Sequence, residues 1–319
     1  MRPFPIAGVQ MHVNYGQDNI PMMRHKLDVV MLRFPSVEMV VFSELAAYGP
    51  SMDHAQPLPG PAELQFCEMA RQYGVWLIPG SLFERVGDLI YNTTSVINPQ
   101  GEVIGRHRKM FPFTPHEMGV TGGTEFLVWD IDGVGRFGVS ICYDMWFPET
   151  TRTLAAMGAE IIIHPTMTDT IDRDVELAIS RASAAMNQCF FFDVNGVGGG
   201  GTGRSTVVRP TGTVIHTAGD SEEFFPIDID LSIARRCRST GMFGLGQPLK
   251  SFRDRNVDFT LYKASSPAKK YLASLGPLVK PGRHAEAVPS PAPAALPPLP
   301  AAIPLMAAAI PPPAILPLL

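Results

Sequence analysis

The sequence predicts an α/β domain in which two β-sheets lie between helical layers. Three observations carry this. Short apolar runs such as Met39-Val-Val-Phe42 and Ile161-Ile-Ile163 are continuous rather than alternating, which suits strands buried on both faces. These runs alternate with stretches of helical character. Finally, Asn98-Pro-Gln-Gly-Glu-Val-Ile104 and Arg209-Pro-Thr-Gly-Thr-Val-Ile215 share the pattern Pro-x-Gly-x-Val-Ile. Proline second and glycine fourth mark a type I turn. Each copy follows a strand-like run, so each reads as a hairpin, and the chain reads as two halves of similar order.

Strands are expected over residues 6–12, 39–43, 75–83, 89–97, 138–142, 160–164, 189–195, 205–209 and 224–229. Helices are expected between them over 20–34, 61–73, 148–157 and 175–188. Pro148-Glu149 is a suitable opening for the third helix. In the fourth, Leu177, Ile179, Ala182, Ala185 and Met186 form an inner face, with Asp172-Arg-Asp174 near its start and Asn187 near its end.

Even texture sets residues 1–263 apart as one domain, large enough to bury a substantial core. Residues 264–287 read as a C-terminal arm. From 288 to 319 there is no charged residue and eleven are proline, so a spanning helix would be broken repeatedly and a disordered, polyproline-like tail is expected. The formal net charge is −4, and no basic cluster exceeds Arg106-His-Arg-Lys109, which gives nucleic-acid binding no electrostatic support. The N-terminus enters a strand directly and lacks the pattern of a signal peptide. Four cysteines (Cys67, Cys142, Cys189, Cys237) form no CxxC and no pairing with histidine. That argues against a metal site or disulfide framework and for a reducing, cytoplasmic setting.

Cys142 ends the run Gly138-Val-Ser-Ile-Cys142, just before Pro148-Glu149. A strand-to-helix elbow offers backbone N–H groups that stabilise a thiolate, whereas buried cysteines in general are inert filler. Cys67, Cys189 and Cys237 read as filler. Glu44 closes another buried strand, where desolvation raises a carboxyl pKa toward that of a general base; the bland alternative is a rim salt bridge. Lys109 leads into Met-Phe-Pro-Phe113 and can aim an ammonium at an oxyanion, or is one more charge on a solvated strand. Glu117 orients a base or substrate, or caps a loop.

Taken together, these residues resemble the motifs of the carbon–nitrogen hydrolase (nitrilase) superfamily, closest in texture to its aliphatic amidase and formamidase branch. Glu44-Leu-Ala-Ala-Tyr-Gly-Pro-Ser-Met-Asp53, the Lys109-to-Glu117 spacing, and Cys142-x-Asp144 with Pro148-Glu149 carry the likeness. Gly158-Ala-Glu-Ile-Ile-Ile, Arg181-Ala-x5-Gln-Cys-Phe and Gly203-Arg-Ser-Thr-Val-Val extend it to about residue 260. The resemblance implies a four-layer αββα sandwich of two mixed sheets with pseudo-twofold halves, assembled into homo-oligomers. It implies catalytic roles for Glu44, Lys109, Glu117 and Cys142, a small-molecule amide substrate, and no metal or organic cofactor. Neither nucleic acid nor a membrane is an expected partner.

Tyr48, Phe113, Tyr143 and Trp146 are expected in the pocket wall by proximity in sequence, and His164 by its neighbours. Nitrilases proper carry Trp-Glu after the cysteine, where this chain has Tyr143-Asp144, which favours amides over nitriles. Carbamoyl compounds or nitriles on the same site, and a catalytically idle scaffold protein, are the competing readings. Two glycine motifs are rejected as phosphate loops: Gly196-Val-Gly-Gly-Gly-Gly201 and the Gly198–Ser205 stretch are followed by a strand, not the helix a phosphate needs.

Overall fold

Strands β1 (Phe4–Gln10), β2 (Met39–Phe42) and β3 (Trp76–Ile78) run parallel, linked by helices α1 (Ile20–Arg33) and α2 (Pro61–Tyr73). A short strand β4 (Leu82–Val86) and the hairpin β5 (Leu89–Ile97) with β6 (Val103–Arg108) complete this half. The second half repeats the scheme. After the edge strand β7 (Leu127–Ile131), parallel strands β8 (Gly135–Val139), β9 (Ile161–Pro165) and β10 (Phe190–Val194) are linked by α3 (Pro148–Ala156) and α4 (Arg173–Asn187). The hairpin of β11 (Thr206–Val208) and β12 (Val214–Thr217) then closes it. Strand β13 (Glu223–Ile229) returns to pair antiparallel with β1, and helices α5 (Ser232–Thr240) and α6 (Pro248–Asp254) follow.

The computed structural model describes residues 2–255, 257–263 and 266–278. The expected tail, 288–319, lies outside them. The chain divides into a unit Met1–Asn256 and a second unit from Val257. In the latter, the described residues form a 3-10 turn, Thr260–Tyr262, and a helix, Pro267–Ala273, whose first turn donates from the Ala268 N–H to Ser266 Oγ at 3.2 Å. Among the described residues no helix is long and apolar enough to cross a membrane.

The first sheet has the order β13-β1-β2-β3-β5-β4, with β6 on β5, and the second the order β12-β11-β10-β9-β8-β7. Alternation within each strand separates the layers. Phe4, Ile6, Met39 and Val41 of the first sheet pack with Phe137, Ile161, Ile163, Phe190 and Phe192 of the second. The intervening Val40 and Phe42 face α1 and α2, in one cluster with Met23, Leu27 and Phe66. Ile162 and Phe191 pack on the other outer face with Leu154 and Ala184 of α3 and α4. The result is an αββα sandwich. It explains why the central strands are apolar throughout: both their faces are interior.

The repeated hexapeptides do the same thing twice. The Gly101 N–H donates to the Asn98 carbonyl at 2.9 Å and the Gly212 N–H to the Arg209 carbonyl at 2.8 Å. Both glycines have positive φ (75° and 77°), and each hairpin shifts register just before its turn, at Val96/Ile97 and Val207/Val208. This is the type I turn with a bulge that glycine permits.

Four expectations need correction. The inner face expected of α4 is not the one it buries: Ala182 and Met186 are exposed, whereas Glu176, Ser180, Ser183 and Ala184 are buried. The strand expected over 75–83 is broken into β3 and β4, because the chain bends at Gly80. Cys142 is not in a strand: β8 ends at Val139, and Cys142 opens a 3-10 turn, Cys142–Trp146. Strand β7 and helices α5 and α6 were not expected; β7 is a five-residue edge strand with an exposed Asp130, and α5 buries only Ala234 and Cys237 beside three arginines, so neither presents the apolar content that marks the other elements.

Candidate active site

Glu44, Lys109 and Cys142 each lie just past the carboxyl end of a strand (β2, β6 and β8), where the chain leaves the sheet and its side chains can converge. Two of these exits are tight. Leu45 and Cys142 have φ of 51° and 45°, a left-handed backbone that costs a non-glycine residue roughly 1–2 kcal/mol. The Leu45 N–H is held by Ser81 Oγ at 3.1 Å. The preceding Gly80 makes this approach feasible, since a Cβ there would sit 1.8 Å from the Ser43 carbonyl oxygen.

Lys109 is only 1% exposed, and its Nζ donates to Glu44 Oε1 at 2.9 Å and to Glu117 Oε2 at 2.7 Å. Asn92 of β5 completes the cluster, with Nδ2 donating to Glu44 Oε1 at 2.8 Å and to Glu117 Oε1 at 3.1 Å. Its carbonyl accepts the Lys109 N–H at 2.8 Å, and Glu117 Oε2 also accepts the Phe113 N–H. Burial raises the Glu44 pKa and the Glu117 charge adds to this, while Lys109 and a hydrogen bond with Cys142 pull it back. Burial works against the charged form of Lys109, but Glu44, Cys142 and Glu117 outweigh it and hold the ammonium well above the ordinary lysine range. The Cys142 thiol is pushed well up by burial and by Glu44, against Lys109 and the Met167 N–H. The resting site therefore holds a thiol beside a carboxylate of weakened acidity.

Asp144 ties the two sides together. Its Oδ1 accepts the N–H groups of Met110 and Phe111, both at 2.9 Å. Its Oδ2 accepts the Ile141 N–H at 3.0 Å and His107 Nε2 at 3.2 Å. One buried carboxylate thus fixes the segment that carries Lys109 to the turn that carries Cys142. Asp144 does not line the cavity, so its effect on chemistry is exerted through the backbone.

That cavity, of about 300 Å³, is lined by Glu44, Lys109, Glu117 and Cys142. Phe113, Tyr143 and Trp146 also line it, and His116 stacks on Phe113 at 4.7 Å. Tyr48 and His164 do not line it. The Tyr48 ring stacks on His54 at 4.5 Å, beside a separate small cleft. His164 follows the alternation of β9 toward the helical layer, 5.0 Å from Phe191, with Nδ1 bonded to Ser140 Oγ at 2.8 Å. Burial pushes its pKa down to about 3.

Several site residues escaped sequence reasoning. Met167, Thr168 and Glu176 line the cavity, and Glu176 accepts from Thr168 Oγ1 at 3.0 Å and Arg173 Nη1 at 3.1 Å. Arg173 also pairs with Asp193. Asn92 had a faint signal, an amide in the middle of an otherwise apolar and hydroxyl-bearing strand. A larger groove of about 430 Å³ lies beside Tyr91, Arg106 and Arg108. Its arginines are bound to Glu63 and Glu84 and it holds no thiol, so the smaller cavity is the candidate active site. Among the described residues no group of His, Cys, Asp and Glu side chains is arranged to hold a metal ion.

An αββα sandwich with thiol, carboxylate and ammonium at its strand ends has the build of a cysteine hydrolase. The profile of the carbon–nitrogen hydrolase family matches residues 6–239, and the chain belongs to that family of hydrolases acting on carbon–nitrogen bonds. Among its relatives, the omega-amidase NIT2 of Danio rerio is 30% identical over 260 residues, covering 72% of this chain and 90% of that protein. The chloroplastic omega-amidase of Arabidopsis thaliana is 31% identical over 56% of this chain, and the match spans only about half (53%) of that longer protein. A crystal structure of a carbon–nitrogen hydrolase from Helicobacter pylori G27 superposes with a TM-score of 0.69 at 27% identity, covering 81% of this chain and 97% of that one.

Proposed function

We propose that the protein hydrolyses a small-molecule carboxamide to its carboxylic acid and ammonia, through a thioester on Cys142. The observation that carries the reading is the cluster itself, a thiol and a carboxylate sharing one cavity with an ammonium 2.9 Å from that carboxylate. Kinship with omega-amidases supports amide chemistry. Glu44 takes the thiol proton as Sγ attacks the amide carbon. The oxyanion is met by the remaining N–H of Lys109 and by the Tyr143 backbone N–H, which follows the nucleophile. Glu44 then returns its proton to the leaving nitrogen, and the carbon–nitrogen bond breaks to release ammonia. A water that gives a proton to Glu44 attacks the thioester, and the thiol leaves with that proton. Glu117 holds Lys109 in place throughout.

The test is ammonia release over a panel of small amides, carbamoyl compounds and nitriles, with Cys142→Ala as the blank. Turnover of an amide by the wild type, abolished in a Cys142→Ala variant of unchanged melting temperature, is expected. Turnover that survives in that variant sinks the thioester route, and turnover confined to nitriles or carbamoyl compounds sinks the amide assignment. Self-association into dimers or larger assemblies belongs to the same proposal and is read by light scattering.

A further inference from the structure

We infer that Asn92 is a positioning residue that occupies one oxygen of Glu44 and leaves the other, Oε2, as the proton carrier; the inference rests on the proposed role of Glu44 as base. A count of donors carries it. Asn92 Nδ2 has two hydrogens, directed at Glu44 Oε1 (2.8 Å) and Glu117 Oε1 (3.1 Å). Lys109 Nζ adds Glu44 Oε1 (2.9 Å) and Glu117 Oε2 (2.7 Å), and the Phe113 N–H adds Glu117 Oε2 again.

A carboxylate oxygen offers two lone pairs. Glu44 Oε1 and Glu117 Oε2 are therefore filled, and Glu117 Oε1 faces Asn92. Only Glu44 Oε2 receives no donor from the cluster, and the Cys142 thiol is bonded to this same carboxylate. The orientation of the Asn92 amide is fixed by its surroundings. Turned over, it would set its oxygen against two carboxylate oxygens, and as placed its buried Oδ1 has no partner among the described residues. An amide that leaves its own acceptor unmatched is held there by its donors. Asn92 is fully buried, and its carbonyl also fixes the Lys109 backbone at 2.8 Å, so one residue sets the register of base, ammonium and second glutamate.

Glu44 is faced by Lys109 from the end of β6, by Glu117 from the following loop and by Cys142 from the turn after β8. Replacing Asn92 retains all of those titratable groups and removes the N–H donors that hold the two carboxylates. Donors to a carboxylate favour its charged form, so the ionisation of Glu44 must move upward in proportion to the donors lost. Asn92→Leu retains the size and no donor; Asn92→Ser retains one O–H. The rate of Cys142 alkylation by iodoacetamide is measured against pH in the wild type and both variants, beside the pH profile of kcat/KM.

The acid limb is expected to move up by about one pH unit in Asn92→Leu, a roughly tenfold slower alkylation on the limb, and part-way in Asn92→Ser. On a working amide, kcat is expected to fall at least about tenfold with KM nearly unchanged, the pattern of a misplaced base. An acid limb that stays where it is in the variants overturns the inference, however far the rates fall, since a purely structural role lowers rate without moving the limb. If Asn92→Leu does not fold, the limb of Asn92→Ser decides. A wild type that releases ammonia from no amide defeats the amidase reading alone, because the alkylation profile still reports on Asn92.

Discussion

Replacing Asp144 by asparagine keeps the shape of the side chain and removes half of its accepting capacity. The carboxylate takes two N–H groups on Oδ1 and one N–H and one imidazole on Oδ2. Whichever way the amide of the variant turns, a nitrogen replaces an oxygen that served two donors. Two buried donors lose their acceptor, at about 1–3 kcal/mol each. A loss of about 4 kcal/mol in a unit of this size lowers the melting temperature by about 10 °C. The rate should suffer as well as the stability. Either the Met110–Phe111 segment or the Ile141–Cys142 turn must shift, and a displacement of about 1 Å between nucleophile and Lys109 costs about 100-fold. Thermal melts and ammonia release on the same Asp144→Asn sample provide the assay. A variant that melts lower yet keeps wild-type kcat would refute the argument, because it would separate the latch from the geometry it is said to hold.

Other outcomes follow from the same site. Lys109→Met leaves Glu44 and Glu117 facing each other without a cation, and should cost about 3–5 kcal/mol and at least about 100-fold in kcat. In that variant the Glu44 pKa, already raised by burial, loses the cation that pulled it back, so the penalty is present at high pH and relieved as the carboxyl protonates; the gap in melting temperature from wild type should narrow from pH 8 to pH 5. His164 titrates near 3 in the fold against an ordinary 6.5, so its contribution is present above about pH 6.5 and shrinks on acidification. Between pH 6.5 and 5 this amounts to about 2 kcal/mol, and His164→Asn should flatten that part of the denaturation profile. Lys109, the one lysine or arginine among the described residues lining the cavity, is already committed to two carboxylates, and Arg173 behind Glu176 is paired likewise. Pentanamide should accordingly be turned over faster than glutaramate, an amide of similar length ending in a carboxylate; the reverse order in kcat/KM would count against this.

Legibility from sequence followed the physics of each signal. The central strands were plain because burial on both faces demands unbroken apolar runs, as at 39–42 and 161–163. The paired hairpins were visible because a type I turn with a glycine bulge has a narrow residue requirement. The bend at Gly80 was not, since its cause is the Ser43 carbonyl, a neighbour distant in sequence. Glu44, Lys109 and Cys142 could be singled out as reactive types at strand ends and Glu117 by its spacing from Lys109, and the fold brings them into one cavity. Asn92 and Glu176 could not, because an amide in a strand and an acid in a helix acquire meaning only from what lies across the gap. Tyr48 and His164 were misplaced for a related reason: closeness along the chain does not say which face of an element a side chain takes.

The setting of Cys142 also bears on how the protein endures oxidants. All four cysteines are buried with raised pKa, that of Cys189 to about 12. Peroxide attacks thiolates, and thiols are slow to react. On the proposed mechanism, a nucleophile kept protonated until an electrophile and Glu44 act on it together gives peroxide little to attack between turnovers. The chain thus separates being reactive toward its substrate from being reactive toward its surroundings.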